Sequence, residues 1–298
     1  MLAGGEPVFS YEFFPPKTPE GTEQLFRTVE ELRPLEPSFA SVTYGAGGAT
    51  RDGTVEVSHR LVDEFGLETM AHLSCVGATR DGLVALLDRV RDIGVENVLA
   101  LRGDPPRGEA NFEPPEGGLA SATELTGFIT ERYEFAIGGT CFPEVHPEAA
   151  SLDADLDYLK TKVDAGATFL ITQLFFDNRL YFEFVEAARQ KGIEVPIVAG
   201  VIPIASYSQI TRFCKLCDAS IPADLAAAME ALGGDAEAEA ELGIAYAARQ
   251  CDDLLAGGAA GIHFYTLNRA AATRAVLSSL RAARPWDRAP AAAPAIAD

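Results

Sequence analysis

The sequence predicts a single-domain α/β protein built as a (β/α)8 TIM barrel, and three observations carry that reading. Short apolar runs of strand length alternate with stretches of helical length along the chain, which implies a parallel sheet covered by helices. There are about eight such units, the number that closes a barrel. One phrase recurs between them: a helix end, a glycine, two or three residues, then a strand. It is written Phe65-Gly66-Leu67, Ile93-Gly94-Val95, Ala165-Gly166-Ala167, Lys191-Gly192-Ile193 and Gly257-Gly258. Glycine supplies the left-handed helix cap, and the short link returns the chain to the sheet. A doubly wound open sheet is the alternative. No Gly-x-Gly-x-x-Gly follows the first strand, which weighs against it.

Taken in order, residues 8–14 read as the first strand, stopped by Pro15-Pro16. Thr18-Pro19-Glu20 opens a helix, with a capping hydroxyl, a proline in the first turn and an early acid. Residues 39–44 form the second strand, which runs into Gly45-Ala46-Gly47-Gly48, and a helix follows over 52–65. Further strands are expected over 69–75, 97–101, 135–141, 169–174, 195–202 and 261–267. The Gly/Pro/Glu-rich segment 107–119 is a candidate lid. Residues 222–255 carry extra Ala-rich helical sequence between strands seven and eight. The barrel is expected to occupy 1–284, and 285–298 to be a disordered Ala/Pro-rich tail.

Charge narrows the partners. Among 298 residues the formal net charge is -20, which argues against nucleic acid, whose phosphates would be repelled. The N-terminus lacks a signal-peptide pattern, and no run approaches the ~18–20 apolar residues of a membrane span. Five cysteines in a chain this long are not a disulfide framework, so a reducing cytoplasm is expected.

The chemistry gathers where strands end, the place at which such folds bind ligands. The fourth strand breaks into Arg102-Gly103-Asp104-Pro105-Pro106. The other strand ends offer Glu12, Thr43 with Tyr44, His72, His146, Thr172 with Gln173, and finally His263, Tyr265, Thr266, Asn268 and Arg269. Glu12 sits among Tyr11, Phe13 and Phe14, so burial is expected to raise its pKa and suit it to general acid chemistry. His72, His146 and His263 lack metal-ligand spacing, so no metal is expected. His59 reads as a surface or packing residue in mid-helix, and Cys214-x-x-Cys217 as two thiols in a helix with no second half-site. The helix begun by Ser151 carries Asp155, able to bind sugar hydroxyls, and Lys162, able to meet a phosphate.

Together these motifs resemble a known family. Tyr11-Glu12-Phe13-Phe14-Pro15-Pro16-Lys17, Ser41-Val42-Thr43-Tyr44-Gly45, Ala100-Leu101-Arg102-Gly103-Asp104-Pro105, Pro143-Glu144-Val145-His146-Pro147-Glu148-Ala149, Ile171-Thr172-Gln173-Leu174-Phe175-Phe176 and His263-Phe264-Tyr265-Thr266-Leu267-Asn268-Arg269 stand in the order found in methylenetetrahydrofolate reductases. The length resembles the bacterial form, a catalytic barrel without an added regulatory domain. The resemblance implies an FAD-binding barrel over 1–284. It also implies NADH or NADPH as electron donor, and reduction of 5,10-methylenetetrahydrofolate to 5-methyltetrahydrofolate for methionine synthesis by a cytoplasmic homo-oligomer.

Carried over residue by residue, the resemblance makes Glu12 the acid that helps open the methylene bridge and Asp104 the carboxylate near flavin and folate. It assigns cofactor contacts to Thr43, Tyr44, Ala46, His72, Arg102, Gly103 and Asp104, and further along to Phe142, His146, Ala149, Asp155 and Lys162. It assigns substrate contacts to Gln173, Gln209, Phe213, Tyr265 and Arg269, with Arg269 suited to the glutamate tail. By spacing alone, a core aromatic in a helix is the favoured reading of Phe213. Phe142 replaces a tyrosine of the family pattern, and Tyr158 and Thr161 replace polar and basic residues. The alternatives are a flavin-independent reductase, a silent folate- or flavin-binding barrel, and an unrelated lyase using Lys160 or Lys162 as a Schiff-base amine.

Overall fold

The computed structural model describes residues 6–44, 51–103 and 112–288. Eight parallel strands close a barrel in sequence order. They are β1 (Val8–Phe13), β2 (Phe39–Val42), β3 (Thr69–Ser74), β4 (Asn97–Leu101), β5 (Ala136–Cys141), β6 (Phe169–Thr172), β7 (Ile197–Val201) and β8 (Gly261–Tyr265). β1 pairs with β2 on one side and with β8 on the other, which closes the ring. Around it lie α1 (Pro19–Leu32), α2 (Arg51–Asp63), α3 (Arg80–Asp92), α4 (Ala122–Thr130), α5 (Leu152–Asp164), α6 (Asn178–Gln190), α7 (Tyr207–Cys217), α8 (Ala223–Ala231), α9 (Ala236–Ala256) and α10 (Ala271–Ala283). The extra helical sequence before β8 is therefore α8 and α9.

Strand alternation decides what faces the barrel axis. On β1, Phe9, Tyr11 and Phe13 join the core between sheet and helices. Val8 belongs to a separate inner cluster with Phe39, Met70, Leu99, Phe169, Ile171 and Val198. That apolar plug fills the barrel, so the interior is packed and open only above it. Ser10 and Glu12 continue the inward face of β1, one and two steps nearer the C-terminal mouth.

The recurring glycine phrase holds, with Gly66, Gly94, Gly166, Gly192 and Gly258 at positive φ. The expected helix start is also observed, since Thr18 Oγ1 accepts the Gly21 N–H. Most strands are one to three residues shorter than the apolar runs suggest. Phe14, Thr43, Tyr44, Cys75, Gln173 and Leu174 lie past the last strand positions, because hydrophobicity does not register where a ladder stops. The described residues run to 288. Pro285–Asp287 form a 3-10 turn, Pro285 is buried, and the Trp286 ring packs 5.6 Å from that of Phe9. The lone tryptophan is the apolar anchor of this turn. Residues 289–298, and 107–111 of the candidate lid, lie outside the described residues. Of the remaining lid segment, Gly118 bridges Thr79.

Candidate functional site

Glu12 is delivered to the mouth by strand alternation, and two imidazoles meet it, His263 from the adjoining strand β8 and His72 from β3. His72 Nε2 and His263 Nε2 each stand 3.6 Å from Glu12 Oε2. His263 is 1% exposed at its side chain and His72 6%, against 21% for Glu12. Ser10 Oγ lies 2.7 Å from His263 Nδ1. Phe39 stacks on the His263 ring at 6.0 Å, and Tyr265 meets it edge-on at 5.4 Å. The Tyr265 hydroxyl is committed elsewhere, donating to Thr172 O at 2.7 Å. The Ser10 hydroxyl can donate to Nδ1 or accept from it, so it holds the His263 ring with either nitrogen protonated.

These contacts correct the expected pKa of Glu12. Burial pushes the carboxyl up, but the imidazole of His263, and the charges available on His72 and His263, more than offset it, leaving the pKa below the ordinary glutamate value. Burial in turn pushes His72 down to about 4, partly opposed by Glu12 and reinforced by His263. The sequence shows the aromatic neighbours of Glu12 but not histidines sixty and 251 residues away.

Above this floor opens a cavity of about 940 Å³. Of the cofactor candidates, Thr43, Tyr44, His72, Arg102 and Gly103 line it from the β2, β3 and β4 ends. Phe142, His146, Ala149, Asp155 and Lys162 line it from the β5–α5 side. Gln173, Phe213 and Tyr265 complete it, so Phe213 is a wall residue. Ala46 and Asp104 lie outside the described residues.

Two substrate candidates are not gathered there. Gln209 lies one turn before Phe213 on α7 and lines no part of the cavity. Arg269 lines a neighbouring cavity with Phe14, Gln24 and Leu267. The reason is local: Leu267 and Asn268 both take left-handed backbone angles, φ 51° and 55°, and turn the chain toward α1.

The β5–α5 side carries most of the site's cross-bracing. Asp155 Oδ2 accepts the His146 N–H at 2.9 Å, and His146 Nδ1 accepts the Glu148 N–H at 3.1 Å. Glu148 grips Arg102 through two contacts of 2.6 and 2.8 Å, and the guanidinium lowers the pKa of this carboxyl. Lys162 is buried, donates to Thr140 O at 2.7 Å, and has its pKa lowered by burial. Sequence reasoning missed the roles of Ser10, His263 and Glu148. The two-residue spacing of Ser10 and Glu12 was a usable signal for one of them, since it puts both on one strand face. The thiols of Cys214 and Cys217 are free. Among the described residues, no group of three or more His, Cys, Asp or Glu is arranged to hold a metal ion. None of their helices is long and apolar enough to cross a membrane.

The family profile described as methylenetetrahydrofolate reductase matches residues 1–281. The chain belongs to the methylenetetrahydrofolate reductase family. Among relatives, the 5,10-methylenetetrahydrofolate reductase of Salmonella typhimurium is 39% identical, covering 93% of this chain and 91% of that protein. The protein of the same name from Escherichia coli is 38% identical over the same shares. Methylenetetrahydrofolate reductase (NADH) 1 of Arabidopsis thaliana is 42% identical, and the match covers 89% of this chain and 46% of the plant protein. The chain thus spans about half the length of the plant relatives. A solved structure from Clostridium thermocellum, described as an uncharacterized protein that binds two copies of 5-methyl-5,6,7,8-tetrahydrofolic acid, superposes with a TM-score of 0.64 at 18% identity. It covers 93% of this chain and 95% of that one, and it shares the fold.

Proposed function

We propose that this member of the methylenetetrahydrofolate reductase family reduces 5,10-methylenetetrahydrofolate to 5-methyltetrahydrofolate, with FAD in the mouth cavity and NADH or NADPH as the electron source. In this reading it supplies methyl groups for methionine synthesis in the cytoplasm, as a homo-oligomer. The observation that carries the reading is a carboxyl, Glu12, set between two imidazoles on the floor of a cavity large enough for a dinucleotide and a second ligand.

The donor set supports FAD. Its diphosphate is an anion entering a chain of net charge -20, so it needs local cations, and Arg102 and Lys162 both line the cavity. Small walls at Ala149, Ala150 and Ala154 admit a flat ligand, and Asp155 offers an acceptor to sugar hydroxyls. The flavin would supply hydride transfer in two halves, from nicotinamide and then to folate.

The residues of the chain supply the proton work. The leaving nitrogen of the methylene bridge departs only when protonated, and Glu12 is the carboxyl facing the reacting space. The imidazoles favour its carboxylate form, so it must take up a proton before it can give one. Ligands that displace water from the cavity raise its pKa, which favours that loading. His263, aligned by Ser10, and His72 are the adjoining groups able to pass the proton. Asp104 is proposed to complement positive charge developing on the folate. Gln173 has its carbonyl oxygen turned to the Leu174 N–H at 2.8 Å, leaving its amide donors for substrate.

Purification tests the cofactor directly: a yellow protein with absorbance near ~450 nm supports FAD. Turnover of methylenetetrahydrofolate with NADH or NADPH tests the reaction. A colourless protein that reduces the folate would favour the flavin-independent alternative.

A further inference from the structure

The ladder between β1 and β8 ends at Glu12 opposite Tyr265. Immediately afterwards β1 runs into Pro15-Pro16, which carry no N–H and cannot extend a sheet. Glu12 and Phe14 would then present backbone groups with no strand partner on the β8 side. Side chains from the β8–α10 turn take their place. Thr266 Oγ1 donates to Glu12 O at 2.6 Å. Asn268 uses its whole amide on Phe14: Nδ2 donates to Phe14 O at 2.9 Å, and Oδ1 accepts the Phe14 N–H at 3.1 Å.

The turn that does this is itself held on every side. Asn268 N–H donates to Thr266 Oγ1 at 3.1 Å, and Thr28 Oγ1 on α1 donates to Asn268 O at 2.9 Å. Arg269 N–H closes the turn on Thr266 O at 3.0 Å. Two consecutive non-glycine residues, Leu267 and Asn268, are kept in the left-handed region. Such angles are costly and persist where the surroundings over-determine them. Thr266 and Asn268 are both buried.

We propose that Thr266 and Asn268 form a side-chain brace that continues the sheet beyond β8 and aims the Glu12 carboxyl between His72 and His263. They are positioning residues that act through the backbone of β1. The half-reaction arm of the test below rests on the proposed reading of the mouth as the folate site; the brace itself does not.

The test uses the full chain with Thr266→Val, which keeps the shape and removes the hydroxyl, and Thr266→Ser, which restores it. In flavin-free protein, NMR titration of His72 reads the Glu12 environment without any turnover. Thr266→Val is expected to move an apparent imidazole pKa by about half a unit or more, and Thr266→Ser to return it. In the FAD-loaded protein, Thr266→Val is expected to slow flavin oxidation by methylenetetrahydrofolate about tenfold more than flavin reduction by nicotinamide, as misplacement of one reacting group does. Unchanged imidazole titration, or equal slowing of both halves without rescue by serine, overturns the brace. A normal brace signature in the titration with no folate turnover in the parent protein would instead overturn the assigned substrate.

Discussion

His72 Nε2 faces Glu12 Oε2 at 3.6 Å from a position almost closed to solvent, and the ring is kept neutral by burial down to a pKa of about 4. The unfolded chain titrates this imidazole near its ordinary value of 6.5. Between those two values the unfolded state binds more protons, so His72 makes stability fall as pH falls from about 6.5 to about 4. Replacing it by glutamine removes that proton. Urea unfolding of the flavin-free protein at several pH values should show a shallower acid loss in His72→Gln, by at most roughly 1.4 kcal/mol per pH unit. Parallel slopes for parent and variant would show that His72 does not titrate between the folded and unfolded states.

Glu12→Gln keeps size and hydrogen bonding but cannot supply a proton. The variant should fold, bind FAD and be reduced by nicotinamide at a near-normal rate. Its oxidation by methylenetetrahydrofolate should drop by the ~10²–10⁴-fold typical of a lost general acid. Stopped-flow absorbance resolves the two halves. Equal slowing of both would give Glu12 a structural role, and normal folate reduction would remove it from the mechanism.

Lys162 is a buried ammonium that donates a hydrogen bond to a carbonyl, Thr140 O, at 2.7 Å. Burying such a charge is costly, so Lys162→Ala should leave the flavin-free protein at least as resistant to urea as the parent. FAD retention should nevertheless weaken about tenfold or more, roughly 1.4 kcal/mol. High salt should promote flavin loss in the parent and do so less in the variant. Flavin fluorescence on dilution measures both, and undiminished retention would displace Lys162 from the cofactor site.

Gly103 sits at φ +87°, and a Cβ there would stand in collision with Ser74 Oγ, 2.1 Å away. That hydroxyl donates to Arg102 O at 3.0 Å and accepts the Val76 N–H at 3.2 Å. Gly103→Ala should therefore cost about 1–3 kcal/mol in urea unfolding and also weaken FAD by displacing Arg102. Adding Ser74→Gly should recover only part of that cost, because Val76 Cγ2 would still stand 3.0 Å from the new Cβ and the backbone angle remains. Full stability in Gly103→Ala would mean that the turn relaxes freely.

The sequence alone determined the barrel. Eight apolar runs, the recurring glycine at helix ends and the hydroxyl at Thr18 are local signals, and local signals survive in one dimension. It also placed Glu12, Arg102 and Lys162 at strand or helix positions that open on one mouth, because each lies beside the break in its own element. What only the tertiary structure decided depends on partners distant in the chain. The pKa of Glu12 turned from raised to lowered because barrel closure sets His72 and His263 beside it. Arg269 left the main cavity because two left-handed residues, neither of them glycine, redirect the turn. Ser10, Thr266 and Asn268 took their roles from the β1–β8 seam, where the first and last strands meet. No periodicity reports that seam, since register between strands 250 residues apart is a property of closure, set by how the side chains of all eight strands pack inside the ring.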